Sequence, residues 1–171
     1  MDITQLILDD HAEQRRLFAT LEQIPRDDIR SLTAVWQRLG VFLELHAEAE
    51  EEIFYPALLH FGEGVGGDAG PKAETLDAIH DHNDIRDAVA DVANHPVGRA
   101  DWYEAVARAN KANGDHMAEE EREGLTDFRR HASLQERHDL GVAFAAFEAL
   151  HVTGVKPEDK DPEEYIDEHS S

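Results

Sequence analysis

Two stretches of the chain repeat one another about seventy residues apart, and this repeat restricts the fold more than any other feature. The piece DHAEQRRLF around His11 resembles DHNDIRDAV around His82, and HAEAEEE from His46 resembles HMAEEER from His116. The spacings agree to within one residue: 35 positions separate His11 from His46, and 34 separate His82 from His116. Each half reads as a helical hairpin with a lone histidine on one helix and His-x-x-x-Glu on the next. Residues four apart on an α-helix lie one above the other, so His46 with Glu50, and His116 with Glu120, can turn both side chains toward one point.

Five segments carry helical periodicity and none shows sustained alternation rich in β-branched residues, so the chain is expected to be all-α. The first helix should start at about Asp2, capped by that side chain with Gln5 three places on, and end at Pro25. The second should run from about Ser31 into the His46 motif, the third over 72–94 and the fourth over 101–130. Ser133 with Glu136 forms a capping box for a fifth, which places Leu134, Phe144, Phe147 and Leu150 on one apolar side. The glycine-dense loop FGEGVGGDAGP, residues 61–71, reads as a hinge between the halves. From Lys156 the sequence KPEDKDPEEYIDEHSS is acidic and has almost nothing to bury, so a disordered tail is expected; the division is 1–152 for the helical domain and 153–171 for the tail.

Charge and composition remove several functions. Sixteen basic residues against 38 acidic ones give a net charge of -22, which repels phosphate backbones and anionic lipid surfaces, so neither nucleic acid nor membrane is an expected partner. No apolar run approaches the ~18 residues of a membrane span. With no cysteine there is no disulfide framework, thiolate nucleophile or iron–sulfur site. The N-terminal MDITQLILDDHAEQ lacks the basic region and cleavage site of a secretory signal, so a cytoplasmic location is expected. A monomer or weak homo-oligomer is expected.

The helical stripes select particular residues for chemistry. Leu39, Phe42, Leu43 and Ile53 flank His46 and Glu50, while Trp102, Val106, Ala109, Ala112 and Phe128 line the stripe through His116 and Glu120. Glu48, Glu51 and Glu52 fall at other angles, where water should reach them. His82 is in register with Ala78, Ile79, Ile85 and Val89, whereas His80 lies roughly 200° around the axis. Ile7 and Phe18 mark the inward face that carries His11. His11, His46, Glu50, His82, His116 and Glu120 are therefore the candidate metal ligands.

The alternative is a set of core histidines neutralised by carboxylates with no metal; two pairs plus two lone histidines in a repeat favour metal. Imidazoles mixed with carboxylates suit iron, manganese or zinc, and six ligands are too many for one catalytic zinc. Two ions fit the set, each taking the two histidines of one half and sharing Glu50 and Glu120, with room for a bridging oxide or hydroxide and an open position. Tyr55 precedes Pro56, which is expected to kink the helix and swing the phenol inward, either as a ligand or as a hydrogen-bonding or packing neighbour. His60, His95, His131, His151 and His169 are read as surface residues, and His138 as at most a neighbour of the site. Arg86 is read as a surface salt bridge in preference to a guide for anions.

The pattern His11, His46-x-x-x-Glu50, His82, His116-x-x-x-Glu120 resembles the ligand set of the hemerythrin family, more narrowly the bacterial hemerythrin-like proteins with an HHE cation-binding domain. The fragment EEEIFYP resembles that family's second-helix continuation, and the likeness covers about residues 1–150. It implies an antiparallel up-down four-helix bundle with the fifth helix alongside, holding a non-heme centre of two iron ions bridged by Glu50 and Glu120. Oxygen-carrying hemerythrins have two histidines four apart on the third helix; here the position four before His82 is Ala78 and the position four after is Arg86. The missing histidine opens coordination at the iron of His82 and His116. The resemblance with this departure implies reaction with nitric oxide, oxygen or peroxide, as a nitric oxide-consuming or catalase-like oxidoreductase. The other reading is an oxygen or iron sensor that signals to a partner without turnover; against it, no output domain and no exposed apolar helix face are evident.

Overall fold

The computed structural model describes residues 1–65 and 70–170 and contains, among them, helices and no strand. In chain order these are α1 (Ile3–Gln23), α2 (Ile29–Ala49), a π-helical turn (Glu50–Phe54), α3 (Tyr55–Phe61), α4 (Pro71–Val92), α5 (Ala100–Arg122), α6 (Gly124–His131), α7 (Leu134–Leu150) and α8 (Pro162–His169). Asp2 caps α1 by accepting from Thr4 N, while Gln5 turns to Asp9 instead of completing a box. Asp28 caps α2, and the Ser133–Glu136 capping box opens α7 as its sequence predicts.

Helix α1 packs on α2, α4 on α5, and α7 lies across α1 and α2. The apolar faces form two clusters. One gathers Ile3, Ile7, Phe54, Leu58, Ile79, Phe128 and Phe144; the other gathers Leu17, Phe18, Leu21, Leu39, Leu43, Val92, Trp102 and Val106. Along α1, α2 and α4 a histidine falls between the helix's contributions to the two: His11 follows Ile7 and precedes Leu17, His46 follows Leu43 and precedes Ala49, and His82 follows Ile79 and precedes Val92. The polar layer is thus sealed by hydrocarbon above and below. No helix among the described residues is long and apolar enough to cross a membrane.

Several expectations are corrected. The predicted helix over 101–130 is two pieces, because the helix is distorted at Glu123, φ -109°, ψ -79°, where Gly124 comes up against Leu58 and Phe54. Helix α7 buries Phe144 and Gly141, the latter against the backbone of Asp2 and Ile3, but leaves Leu134, Val142 and Leu150 in solvent. Leu134 and Leu150 therefore do not share the inward side of Phe144, contrary to the sequence reading. The hinge proposed over 61–71 lies partly outside the described residues; its described start is tied down by Asp127, fully buried, which accepts from Glu63 N and Gly64 N at 3.1 and 2.8 Å.

The largest correction is the C-terminal segment. Asp161 and Pro162 open a capped helix in which Tyr165 and Ile166 are buried, and α8 packs on α4. Asn83 anchors the approach by pairing with the backbone of Lys160 twice, Nδ2 to O at 2.7 Å and Oδ1 from N at 3.1 Å. Acidic composition predicts disorder here, yet buried Tyr165 and Ile166, the Asn83 pairing and the Lys160 side chain dock the segment.

Candidate metal centre

The four histidines selected by the repeat arrive from four helices: His11 from α1, His46 from α2, His82 from α4 and His116 from α5. All are at most 3% exposed. Their Nε2 atoms converge on Glu50, itself fully buried, and its two oxygens divide them by half of the chain. Oε1 lies 3.0 Å from His46 and 3.9 Å from His11, whereas Oε2 lies 3.3 Å from His82 and 4.0 Å from His116. Glu120 reaches His11, with Oε2 3.4 Å from Nε2. His11, His46 and Glu50 offer donor atoms within 4.8 Å of one another, as do Glu50, His82 and His116.

A carboxylate stands behind each ring. Nδ1 of His11 meets Glu121 at 2.9 Å, His46 meets Asp10 at 3.1 Å, His82 meets Glu51 at 2.7 Å and His116 meets Asp81 at 3.5 Å. A carboxylate accepting from Nδ1–H fixes the tautomer and leaves the Nε2 lone pair for the centre. Asp10 and His46 also form a donor cluster with Glu148, whose carboxyl is pushed up to about 7 by burial and by Asp10.

Sequence periodicity misplaced Glu51, and the π-helical turn is the reason; Arg86, read as a surface salt bridge, is instead buried four residues after His82 on the same face of α4. Across Glu50–Phe54 the chain takes one extra residue per turn, so that Tyr55 N–H bonds Glu50 O, five residues back. Glu50 and Glu51 consequently both face inward, and Glu51 is 1% exposed instead of solvated. Arg86, 4% exposed, spans both Glu51 oxygens at 2.8 and 2.9 Å, and Lys160 adds Nζ at 2.7 Å. Burial disfavours charge on Glu51, but His82, Arg86 and Lys160 outweigh it and hold the carboxyl at about 2. Tyr165 donates its hydroxyl proton to the carbonyl of Glu51. Glu52 stays exposed and Glu48 half-buried, as expected.

The same turn brings in Tyr55. Its backbone is helical at φ -66°, ψ -37°, so Pro56 does not push it out; the π turn rotates it. The phenol is 1% exposed and donates to Glu120 Oε1 at 2.7 Å. Burial and the carboxylates Glu120 and Glu50 raise the phenol well above its ordinary value, which keeps it a donor. His80 is exposed, opposite in character to His82, and His138 contacts the N-terminal residue instead of the site.

The centre is short of positive charge. Nε2 of His11 and His46, both oxygens of Glu50 and Oε2 of Glu120 are buried without a hydrogen-bond partner among the described residues. Nε2 of His82 and of His116 approach to 3.1 Å, too close for two lone pairs. Protons take up part of the deficit. Burial opposes charge on His116, yet Asp81, Glu50 and Glu120 hold its imidazolium up to about 10. Divalent cations satisfy the same atoms without protons, and imidazole with carboxylate and no thiolate is a donor set for iron, manganese or zinc.

The sequence matches the profile of the hemerythrin HHE cation binding domain over residues 2–143. The chain belongs to the hemerythrin HHE family. Its hemerythrin fold is seen again in the crystal structure of a hemerythrin HHE cation binding domain-containing protein from Mycobacterium kansasii, with a TM-score of 0.73, 16% identity, and coverage of 95% of this chain and 96% of that one. No curated protein matches the sequence significantly. The converging histidines and Glu50 of this HHE domain thus form clusters able to hold metal.

Proposed function

We propose that this HHE protein is a non-heme di-iron protein that binds and reacts with nitric oxide or peroxide. In this reading His11 and His46 hold one iron, His82 and His116 hold the other, Glu50 lies between them and Glu120 is the second shared carboxylate. Residues 1–152 form the metal-binding unit, with α1, α2, α4 and α5 alternating in direction. The connections support that alternation, because helices about 30 Å long that pack together across a few linking residues must fold back on one another. The observation that carries the proposal is the convergence of four buried Nε2 atoms on the two oxygens of Glu50.

When bound, the iron pair supplies redox and Lewis-acid chemistry. The chain supplies the rest. The carboxylates on Nδ1 aim the rings, and the apolar clusters exclude bulk water. Tyr55 keeps a proton on its hydroxyl within 2.7 Å of Glu120, so the phenol orients that carboxylate. Ala78 and Arg86 stand four before and four after His82, the two positions where a second histidine of the oxygen-carrier kind could fall, and Ala78 is the small one. Beside it, a cavity of about 20 Å³ is lined by Ala78, Tyr55, His116 and Glu120. That volume accepts a water-sized molecule and little more, which suits a diatomic or a peroxide.

Metal analysis and an absorption spectrum of protein produced with iron test the site, with two irons per chain and near-ultraviolet charge-transfer bands expected. Loaded protein should then consume nitric oxide or peroxide; a stable, reversible oxygen adduct with neither turnover would overturn the reading.

A further inference from the structure

Glu74, in the first turns of α4, is a buried carboxylate with nothing to bind. It is 9% exposed, and neither oxygen has a hydrogen-bond partner among the described residues. Burying an ionised carboxylate unpartnered is costly, and burial with the nearby Asp127 and Glu123 pushes this one up to about 7. Glu74 lies in the first turn of α4 but makes no capping hydrogen bond there; the N-cap is Gly70.

Its position is informative. Glu74, Ala78 and His82 stand at i, i+4 and i+8 on α4 and share one stripe. Glu74 lines the same cavity as His116 and Glu120, and between them Ala78 offers only a methyl group. Asp77 and Glu119 are exposed at that cavity and Glu123 is half-buried there. Carboxylates thus lead inward from solvent to the donor cluster, and none of the described lining residues is a lysine or arginine. Such a lining focuses a negative potential that repels anions and concentrates cations.

We propose that this cavity is a divalent-cation site in its own right, where Glu74 together with Glu123 holds an incoming ion before it passes to the histidines. The inference rests on the reading of the histidine cluster as a metal centre. A hard divalent cation takes oxygen ligands and keeps waters, so an all-carboxylate site of one or two side chains binds it weakly. Imidazoles bind first-row metals more tightly than oxygen alone, so transfer inward is favourable. The unsatisfied oxygens of Glu74 are then the resting state of a site filled only in passing.

The test uses the full metal-free chain and Glu74→Gln, which keeps the volume and removes the charge. Uptake of Co2+ is followed by its ligand-field absorption, and excess Mn2+ is counted by electron paramagnetic resonance. Both proteins should fill the same number of tight sites, with uptake by the variant slower by about fivefold or more. Wild type should bind one further weak Mn2+ per chain, and Glu74→Gln should not. Matching circular dichroism spectra establish that the variant folds, and Glu123→Gln should slow uptake in the same direction. A weak Mn2+ absent from wild type or retained in Glu74→Gln overturns the proposal, whatever the rates. Failure of both proteins to bind two tight ions would instead overturn the di-metal reading, while a weak ion lost in the variant would still support this site.

Discussion

Nδ1 of His82 donates to Glu51 at 2.7 Å, and the carboxylate that aims this ring is itself held by Arg86 and Lys160. Glu51 thereby couples the metal side of α4 to a salt-bridge network that ends in the C-terminal segment. Glu51→Ala takes the nearest carboxylate from Arg86, 4% exposed, and leaves it only Glu44 and Glu48 at 3.6 and 3.7 Å; the cost should approach but not exceed about 3–5 kcal/mol, the usual result of breaking a buried ion pair from one side. Thermal unfolding of metal-free protein measures it. Affinity for the ion held by His82 and His116 should fall by about ten- to a hundredfold, the range for loss of a carboxylate behind a metal-bound histidine. Loss of stability with both ions still bound equally tightly would separate Glu51 from the centre.

The C-terminal segment should behave as a strap over that network. Tyr165→Phe removes the donor to the Glu51 carbonyl and should destabilise the chain by about 1 kcal/mol. Removing residues 156–171 also removes Lys160 from Glu51, so hydrogen exchange of the Glu50–Phe54 amides should accelerate. Exchange confined to the ends of α4 and α7, with the π turn unchanged, would show that the segment rests on the bundle without bracing it.

The contrast between what the sequence showed and what it concealed has one physical origin. His11, His46, His82 and His116 were legible because they obey 3.6-residue periodicity in two copies, and apolar stripes then fixed their facing. Glu51 and the cause of Tyr55's inward turn were hidden, because a single inserted residue rotates the helix without changing composition; Arg86, four residues after His82, was missed only because the buried carboxylate it pairs with was. The run of three glutamates followed by Ile53 and Phe54 gives no sign of the wider turn. The strap was missed for a different reason: net charge dominated the reading of KPEDKDPEEYIDEHSS, although Asp161-Pro162 followed by two glutamates is a helix start signal and Tyr165 its anchor.

Tyr55 donates to Glu120 and is therefore expected to orient that carboxylate without ligating iron. The iron-loaded protein should show no broad visible phenolate-to-iron band. Tyr55→Phe leaves Glu120 Oε1 buried without its donor, at a cost of about 1–3 kcal/mol in the metal-free chain. A visible band that disappears in Tyr55→Phe would make the phenol a ligand.

The pH dependence of metal-free stability should carry the signature of Glu74. Its carboxyl is raised from 4.5 to about 7 by burial, Asp127 and Glu123, so the folded chain keeps a proton that the unfolded chain releases. The associated stability is complete below 4.5 and is lost as pH rises through 7. Glu74→Gln has no proton to lose, and should gain up to about 3 kcal/mol relative to wild type between the acid range and about pH 8. Melts in the presence of a chelator measure the difference; a gap that does not vary with pH would sink this account.

Ala78 offers the most direct test of why the cavity matters. It is 7% exposed, four residues before His82, and lines the cavity beside His116 and Glu120. Ala78→His places an imidazole in that cavity, four residues before His82, at one of the two positions that would restore a pair of histidines four apart. Forcing a ring into a space of about 20 Å³ should cost roughly 1–3 kcal/mol in the metal-free chain. Iron loading should recover part of that loss if the ring finds the ion, because binding to the folded state alone stabilises it. Consumption of nitric oxide or peroxide should then slow markedly while the iron content stays constant, since the added histidine closes the space a small ligand needs. Turnover that persists in iron-loaded Ala78→His would mean that the reacting molecule reaches the centre from another side, and that the cavity beside Ala78 is not its route.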